Sequence, residues 1–243
     1  GKTSASIAIA KALNGEIISA DSMQIYEYMN IGTAKVRPEE MDGITHHMID
    51  ILKPDEEFSA ALYNQMAREI IHDINARDSI PIVTGGTGLY INSLVYDLDF
   101  GGVPPQGNFR SELEAIFTEY GGEHLLEILR KVDPDTASRL AHNDFKRIAR
   151  ALEVFEFSGV PLSRQVGSFR KETENYDLAM YCLTMDRTKL YERINSRVDL
   201  MFEEGLLNEV KYLLDSGYGK QLTSMQGIGY KELCGFLNEE ATW

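Results

Sequence analysis

Hydrophobic positions in the first third of the chain follow two alternating spacings. The stretch "TSASIAIAKALN" has apolar residues at helical spacing and ends at Asn14-Gly15, and "FSAALYNQMAREIIHDINARD" repeats that spacing over a longer helix. The short apolar runs "EIIS" and "IPIVTGGTGLY" are typical of buried strands, and the second leads into a glycine turn. Such alternation predicts a parallel sheet with helices on its faces. Because ligands of these sheets bind beyond the carboxyl ends of the strands, we expect the functional site there.

The pattern changes after a Gly/Pro-rich break, "FGGVPPQGN". From Phe109 to about Gly167 every apolar pattern is helical, whereas "YDLAMYCLTM" returns to a strand pattern and a long helix begins after Asp186, a good N-cap. We therefore predict an α/β fold: a P-loop-type parallel sheet flanked by helices, with a helical insertion domain. The predicted domains are a core at 1–107 and 176–243 and a helical insertion at 108–175.

Composition narrows the class of protein. The 243 residues include 43% hydrophobic and 26% charged side chains and two cysteines far apart, which is typical of a protein of the reducing cytosol. No apolar run is long enough to span a membrane. The net charge of −14 argues against a nucleic-acid partner, but residues 143–171 hold six basic and three acidic side chains. Because of this local excess of positive charge, the net charge alone does not exclude RNA as a partner.

Three short segments carry candidate chemistry at the predicted sheet edge. Gly1-Lys2-Thr3 ends a phosphate-binding loop pattern, in which the lysine reaches phosphates and the threonine hydroxyl binds Mg²⁺, although the same letters also begin ordinary helices. Asp21 follows the first strand, where it suits a general base, a Mg²⁺ ligand or a plain turn residue. "VTGGTGLY" offers glycines for the close approach of a ligand and two threonine hydroxyls. Two glycine-containing edges beside one carboxylate favour a binding site.

The pair His46-His47 in "GITHHMID" is a weak metal candidate. Adjacent residues of a strand point to opposite faces of a sheet, so the two rings would not converge on one ion. We therefore expect packing or hydrogen-bonding roles for both histidines.

Together, these segments resemble the tRNA dimethylallyltransferases of bacterial type, also called tRNA isopentenyltransferases. The resemblance rests on "DSMQIYEYMNIGTAKV", "PIVTGGTGLYI", "DFKRIARALEVFEFSG", "LYERINSRVDLMFEEGLLNEV" and "SMQGIGYKE", and it extends from residue 1 to about residue 232. The family's phosphate loop is represented here by Gly1-Lys2-Thr3. The long segments are specific, whereas G-K-T alone is not.

The resemblance implies transfer of the dimethylallyl group of dimethylallyl diphosphate to the N6 amine of the adenosine on the 3′ side of the anticodon, position 37 of tRNA. It further implies Mg²⁺ as cofactor, the tRNA anticodon loop as partner, a cytoplasmic monomer, and no membrane partner. The core at 1–107 and 176–243 would be catalytic, and the helical insertion at 108–175 would bind the tRNA. The loop that looks like an ATP site would then hold an allylic diphosphate. Three alternatives remain open: an adenylate isopentenyltransferase that makes free cytokinin, a small-molecule P-loop kinase that uses ATP, and a non-catalytic RNA-binding protein.

Residue roles follow from the resemblance and from the chemistry of the reaction. Asp21 is the candidate base for the proton of the amine, Thr87 would orient that amine, and Arg197 would act on the leaving group. The predicted diphosphate ligands are Gly1, Lys2, Thr3, Arg193 and Arg197, and Thr3 is the predicted metal ligand. The predicted tRNA contacts are Asp21, Ser22, Met23, Gln24, Thr87, Arg110, Lys146, Arg147, Ile148, Ala149, Arg150, Gln226, Tyr230 and Lys231.

The long helix after Asp186 carries two stripes of side chains at i, i+4, i+8 spacing. We expect the apolar stripe to face the core and the arginines of the cationic stripe to contact the diphosphate, although a solvated basic face is the common use of such charges. The cationic stripe consists of Lys189, Arg193 and Arg197, and the apolar stripe of Leu190, Ile194 and Val198.

Overall fold

The structure, a computed structural model, describes residues 1–96, 103, 106–165 and 174–237. The chain divides into two compact units. The first unit, called the sheet unit below, is Gly1–Ser93 with Asp177–Trp243, and the second, called the helical unit, is Leu94–Tyr176. The RNA-binding role predicted for the helical insertion stays a prediction.

The sheet unit is built on parallel strands. Among the described residues the sheet has three strands in the order β2-β1-β3. The strands are β1 (Gly15–Ala20), β2 (His46–His47) and β3 (Ile80–Gly85), and the helices near them are α1 (Lys2–Leu13), α2 (Ala60–Ala76) and α3 (Gly88–Val95). The fold class predicted from the alternating spacings is confirmed.

Helix α1 is held against the sheet by a small apolar cluster. Ile7 and Ala10 of α1 pack with Ile17 of β1, and all three are buried. The helix ends where the sequence predicted, because Asn14 adopts the left-handed conformation with φ 51°, which asparagine tolerates better than most residues. The amino end of α1 is therefore placed over the carboxyl edge of β1.

The helical unit has no strand among its described residues. Its core contains buried leucines, isoleucines and alanines from several helices, including Leu125, Leu129 and Ile148. The stretch "PDTASRLAH" lies in the region predicted to be helical, but only its first four residues, Pro134–Ala137, form a helix. The helices are α4 (Gly107–Tyr120), α5 (Gly122–Val132), α6 (Pro134–Ala137), α7 (Phe145–Ser158) and α8 (Leu162–Gln165).

The last part of the sheet unit is helical. The helices are α9 (Arg187–Glu203), α10 (Leu206–Asp215), a short 3₁₀-helix (Ser224–Gln226) and α11 (Tyr230–Leu237). Asp186 caps α9 as predicted, because its Oδ1 accepts the N–H groups of Thr188 at 3.0 Å and Lys189 at 3.2 Å.

Two sequence predictions about this region are wrong. The strand predicted from "YDLAMYCLTM" is absent: residues 177–186 form no regular structure, and Tyr181 is 84% exposed. The apolar stripe of α9 does not face a core, because α9 has no buried residue and Ile194 is 45% exposed. The physical reason is shared. An apolar pattern predicts what a segment can bury, but a strand also needs a hydrogen-bonding neighbour and a helix needs a facing surface.

Candidate active site

A polar cavity lies between the first turns of α1 and the sheet. Parallel pairing aligns Ser19 of β1 with Thr84 of β3 and Ile17 of β1 with His46 of β2, so these side chains share one face. Asp21 follows β1 with the same side-chain period. The polar groups that line the cavity include Lys2, Thr3, Asp21, Gln24, His46 and Thr84. The structure thus brings the predicted phosphate end and the predicted base to one cavity.

The glycine turn after β3 serves two close approaches. A Cβ on Gly85 would lie 2.0 Å from the carbonyl oxygen of Ala20, so only glycine lets β3 and β1 pair this closely here. A Cβ on Gly86 would lie 2.9 Å from Nζ of Lys2. Gly1 is the N-cap of α1, so Lys2 and Thr3 occupy the positive end of the helix dipole, which favours an anion.

Asp21 has a structural role and also faces the cavity. Its Oδ1 accepts the backbone N–H of Met23 at 3.0 Å and of Gln24 at 3.4 Å, which is the turn role that the sequence left open. The carboxylate also acts on a neighbouring phenol. Burial, Tyr26 and the charge of Asp21 together raise the pKa of Tyr90 to about 12. A turn residue and a base are therefore compatible roles for one carboxylate.

Thr87 connects the loops that follow β1 and β3. Its Oγ1 accepts the backbone N–H of Ser22 at 2.9 Å and donates to the Ser22 hydroxyl at 3.3 Å. The backbone N–H of Thr87 donates to the carbonyl of Ala20 at 3.0 Å. These bonds hold the Thr87 hydroxyl against Ser22, the residue that follows Asp21 in the chain. The two catalytic groups predicted at this edge of the sheet therefore belong to neighbouring, hydrogen-bonded loops.

Gln24 is oriented by the loop that follows it. Its Nε2 donates to the carbonyl of Thr33 at 3.1 Å and of Ala34 at 3.3 Å. Since both carbonyls can only accept, the amide nitrogen is turned toward the loop. The amide oxygen is left as the group that Gln24 can offer to a donor in the cavity.

Glu209 of α10 is a residue that sequence reasoning missed. Its carboxylate accepts the backbone N–H groups of Asn30 at 2.9 Å, Ile31 at 2.8 Å and Gly32 at 3.1 Å, and the hydroxyl of Tyr230. A Cβ on Gly32 would lie 2.5 Å from the Tyr230 ring. The glycine of the "NIGTAK" segment was a signal of such an approach, but nothing in the sequence pointed to its partner.

The tRNA contact predicted for Tyr230 is corrected by this arrangement. The side chain is fully buried and its hydroxyl is bonded to Glu209. Burial and the Glu209 carboxylate raise the pKa of the phenol well above its usual range. Tyr230 is therefore a packing residue beneath the loop. Its sequence neighbours among the predicted contacts, Gln226 and Lys231, are exposed.

Met23 packs against the loop before α11. A Cβ on Gly227 would lie 2.9 Å from Sδ of Met23, so the "SMQGIGY" segment lies directly beside the "DSMQ" turn. Ser224 anchors this segment, because its buried hydroxyl donates to the carbonyl of Pro54 at 2.7 Å. Two of the predicted RNA-contacting segments therefore adjoin each other.

The arginines of α9 are not among the cavity-lining residues. Arg193 and Arg197 lie on helix α9, which has no buried residue, and they border an open depression together with Glu192 and Ser196. The structure does not bring them to Lys2 and Thr3, so their contact with diphosphate stays a prediction.

The predicted RNA contacts of the helical unit differ in exposure. Ile148 and Ala149 are buried in its core, with 0% and 3% exposure, so the direct tRNA contact predicted for them is withdrawn. Consecutive residues of a helix are turned by about 100° from one another, so the residues of one sequence motif cannot all face the same partner. Lys146 and Arg147 are exposed, and Arg147 forms an ion pair of 3.2 Å with Asp144.

Arg110 and Arg150 bind a buried carboxylate. Glu153 is fully buried, and its oxygens accept Nη2 of Arg110 at 2.9 Å, Nη1 of Arg150 at 2.7 Å and the N–H of Gln106 at 2.7 Å. Burial raises the pKa of Glu153, but the hydrogen bonds from Arg110, Gln106 and Arg150 outweigh it and hold that pKa below its usual value. These two arginines therefore have a structural role, whatever else they contact.

Comparisons with known proteins agree with the geometry. The family model described as IPP transferase matches residues 24–243. The chain is 50% identical to a tRNA dimethylallyltransferase of Caldanaerobacter subterraneus subsp. tengcongensis, with 99% of this chain and 77% of that protein covered. It is also 50% identical to one of Alkaliphilus oremlandii, with 98% and 75% covered.

Solved structures extend the similarity to the fold. The chain resembles a eukaryotic dimethylallyltransferase acting on tRNA with a TM-score of 0.85 and 31% identity, over 99% of this chain and 61% of that one. It resembles the full-length tRNA isopentenylpyrophosphate transferase of Bacillus halodurans with a TM-score of 0.69 and 44% identity, over 100% and 75%. The chain therefore belongs to the tRNA dimethylallyltransferase family.

Proposed function

We propose that the protein transfers the dimethylallyl group of dimethylallyl diphosphate to the N6 amine of the adenosine on the 3′ side of the anticodon in tRNA. The observation that carries this proposal is that Lys2, Thr3 and Asp21 line one cavity. A cation and a helix amino end suit a diphosphate, and a carboxylate suits the removal of a proton. The names of the relatives support tRNA as the acceptor and do not favour free adenylate or a kinase substrate.

The reaction needs a base because the amine is a weak nucleophile. Its lone pair is delocalised into the adenine ring, so attack on the allylic carbon leaves a proton that must depart. In the proposed step the N6–carbon bond forms, the carbon–oxygen bond to diphosphate breaks, and the Asp21 carboxylate takes the proton. The Thr87 hydroxyl, fixed by Ser22, orients the amine. The adenosine must be unstacked from its loop to reach the cavity.

The leaving diphosphate gathers negative charge on the opposite side of the cavity. Lys2 supplies a point charge, and the backbone N–H groups at the start of α1 add the helix dipole. These groups act on charge that grows as the bond breaks, so they stabilise the transition state more than the bound substrate. Arg193 and Arg197 are proposed as further diphosphate ligands.

The cavity suits a magnesium ion shared with the diphosphate. Among the described residues no group of three or more His, Cys, Asp and Glu side chains could hold a metal alone. Magnesium typically takes one or two protein oxygens and completes its shell with phosphates and water. The hydroxyl of Thr3 would be its protein ligand, and the ion would neutralise the charge of the leaving diphosphate.

A set of exposed and half-buried side chains is proposed to contact the anticodon loop. In the sheet unit these are Ser22, Met23, Gln24, Gln226 and Lys231, and in the helical unit Arg110, Lys146, Arg147 and Arg150. The "DSMQ" turn and the "SMQGIGY" segment adjoin, which supports a shared RNA surface on the sheet unit.

In the described part of the chain, no helix is both long and apolar enough to span a bilayer. We propose that the enzyme acts as a cytoplasmic monomer.

The proposal is tested by mass spectrometry of the tRNA product. The full-length enzyme is incubated with dimethylallyl diphosphate, Mg²⁺ and unmodified tRNA, and the nucleosides are then analysed. The expected product is one adenosine that carries a five-carbon unit beside the anticodon. A parallel reaction with AMP in place of tRNA tests the free-cytokinin alternative, and ATP with no prenyl donor tests the kinase alternative. Modified AMP without modified tRNA would overturn the proposal.

A further inference from the structure

His46 lines the cavity and has one ring nitrogen that is unpaired among the described residues. The ring lies on β2, opposite Ile17 of β1, and lines the same cavity as Lys2 and Thr3. Its Nδ1 is 2.9 Å from the carbonyl oxygen of Ile44. Since a carbonyl can only accept a hydrogen bond, Nδ1 carries the proton of the neutral ring. The Nε2 atom is therefore a bare acceptor.

This acceptor has no partner within the described residues. Nε2 of His46 is buried and forms no hydrogen bond there. Buried polar atoms are nearly always paired, and an orphan in a polar cavity indicates a group that arrives with a ligand. The group must be a donor, because a neutral Nε2 offers only a lone pair.

The donors that the reaction brings are few. A metal-bound diphosphate is fully ionised at neutral pH and has only acceptor oxygens, so it cannot pair with Nε2 directly. The adenine amine is a donor, but in the proposed function its two hydrogens are engaged by the Asp21 carboxylate and the Thr87 hydroxyl. Water bound to a magnesium ion is a donor, and magnesium keeps several of its waters when it binds phosphates. Coordination also makes such water a stronger donor.

We propose that His46 is a positioning residue whose Nε2 accepts a hydrogen bond from a water on the Mg²⁺ that accompanies the diphosphate. The inference rests on the proposed function, because it takes the diphosphate to bind at Lys2 and Thr3. Groups that hold the waters or ligands of a metal fix its geometry, and their loss typically costs about 10- to 100-fold in metal affinity.

His47 provides a matched control in the same strand. It lies on the opposite face of the sheet, and its Nε2 is 2.7 Å from Oε2 of Glu16. Its partner is thus supplied by the protein itself. A substitution of His47 disturbs β2 as a substitution of His46 does, but leaves the cavity acceptor in place.

The test measures metal binding without catalysis. Full-length enzyme is titrated with Mn²⁺, a stand-in for Mg²⁺, in the presence of inorganic diphosphate and without tRNA, and free Mn²⁺ is followed by electron paramagnetic resonance. We expect His46→Phe, which keeps the ring and removes the lone pair, to weaken Mn²⁺ binding by about 10- to 100-fold. His46→Gln, whose amide oxygen reaches a position close to Nε2, should stay within a few-fold of the parent, as should His47→Gln.

The outcomes separate this inference from the proposed function. Unchanged Mn²⁺ affinity of His46→Phe, in an enzyme that still prenylates tRNA, overturns the role of His46 and leaves the function standing. Tight Mn²⁺–diphosphate binding that depends on His46, in a parent enzyme that yields no prenylated tRNA, supports the role and overturns the function. Thermal unfolding shows whether each variant is folded. If His46→Phe is not folded, His46→Leu is the replacement, and equal affinity of His46→Leu and His46→Gln contradicts the inference.

Discussion

Two sets of charged side chains in this protein are arranged in opposite ways. In the helical unit, the Glu153 carboxylate is fully buried and surrounded by donors from Arg110, Arg150 and a backbone N–H. At the cavity of the sheet unit, and within the described residues, Asp21 accepts hydrogen bonds only from its own turn and Lys2 has no carboxylate partner. Charges that stabilise a fold satisfy one another, whereas charges that serve a ligand converge on a cavity and leave capacity for it.

Because the two carboxylates differ in this way, their replacement is expected to affect different properties of the protein. Replacing Glu153 leaves two arginines without their buried partner, so the effect is expected on stability. Replacing Asp21 leaves the turn intact if the acceptor is kept, so the effect is expected on chemistry. The experiments below test this separation.

The largest effect is expected from Asp21→Asn. The asparagine retains an Oδ1 that can accept the N–H groups of Met23 and Gln24, but it cannot take a proton at neutral pH. We expect turnover to fall by about 10²- to 10⁴-fold, the usual range for loss of a general base. Single-turnover kinetics with saturating tRNA measure this effect.

The control for Asp21→Asn is its own stability and RNA affinity. Thermal unfolding and the dissociation constant for tRNA should both stay close to those of the parent. Near-full turnover in this variant would falsify the base role and leave Asp21 as a turn residue alone.

A large effect on stability is expected from Glu153→Gln. The amide of this variant is a neutral acceptor for the hydrogen bonds from Arg110 and Arg150, whose side chains are 43% and 28% exposed, and a hydrogen bond to a charged group contributes about 1.5–3 kcal/mol. We expect a loss of this size in the free energy of unfolding, with Glu156→Gln on the exposed side of α7 as the matched control. Chemical denaturation followed by circular dichroism measures both variants. Equal stabilities of the two would mean that the arginines are stabilised without Glu153.

The same carboxylate predicts a pH dependence. The pKa of Glu153 is lowered in the folded protein, so its contribution to stability is present above the unfolded pKa of about 4.3 and is lost as pH falls through the folded pKa. The parent should therefore lose more stability than Glu153→Gln as pH falls from about 5 toward 3. If the two proteins lose stability equally over this pH range, the pH dependence does not come from Glu153.

A smaller effect is expected from Lys2→Ala. A hydrogen bond to a charged group is worth about 1.5–3 kcal/mol, so inhibition by inorganic diphosphate should weaken by about 10- to 100-fold. Lys11→Ala is the matched control, because Lys11 lies on the same helix but pairs with Asp42. If diphosphate inhibits Lys2→Ala as strongly as the parent, the anion is bound elsewhere.

The elements that the sequence predicted correctly are those whose signals lie within a few neighbouring residues. Helix α1 with its stop at Asn14, strands β1 and β3, and the cap of α9 by Asp186 all follow from spacing and capping chemistry within a few residues. The sequence also placed Lys2, Thr3 and Asp21 together, because the carboxyl ends of parallel strands meet at one edge.

What the sequence did not predict depends on partners far along the chain. Glu209 bonds to Asn30, a separation of 179 residues, and no local pattern distinguishes it from the other acids of the chain. The apolar stripe of α9 and the strand pattern of 177–186 predict burial. Whether such a segment is buried depends on the elements that pack beside it, and the spacing of its apolar residues does not specify those elements. The bare Nε2 of His46 depends on the tautomer fixed by Ile44, which only the folded backbone determines.

The smallest effect is expected from Arg147→Ala, and it tests where the RNA surface of the helical unit lies. The Arg147 side chain is 75% exposed and its ion pair with Asp144 is a surface pair, which contributes at most about 1 kcal/mol to stability. Each lost phosphate contact should lower the slope of log K against log salt for tRNA binding by about 0.7 to 0.9.

The control is Arg130→Ala, because Arg130 is another exposed arginine of this unit that is paired with an acid. Arg147→Ala should reduce the slope without changing the unfolding temperature, whereas Arg130→Ala should change neither. Because Arg150 binds Glu153, an Arg150→Ala variant that altered the slope would also lose stability and could not by itself identify a contact. If the salt dependence of tRNA binding is unchanged in Arg147→Ala, the exposed face of α7 does not contact the RNA, and the RNA surface lies on the sheet unit.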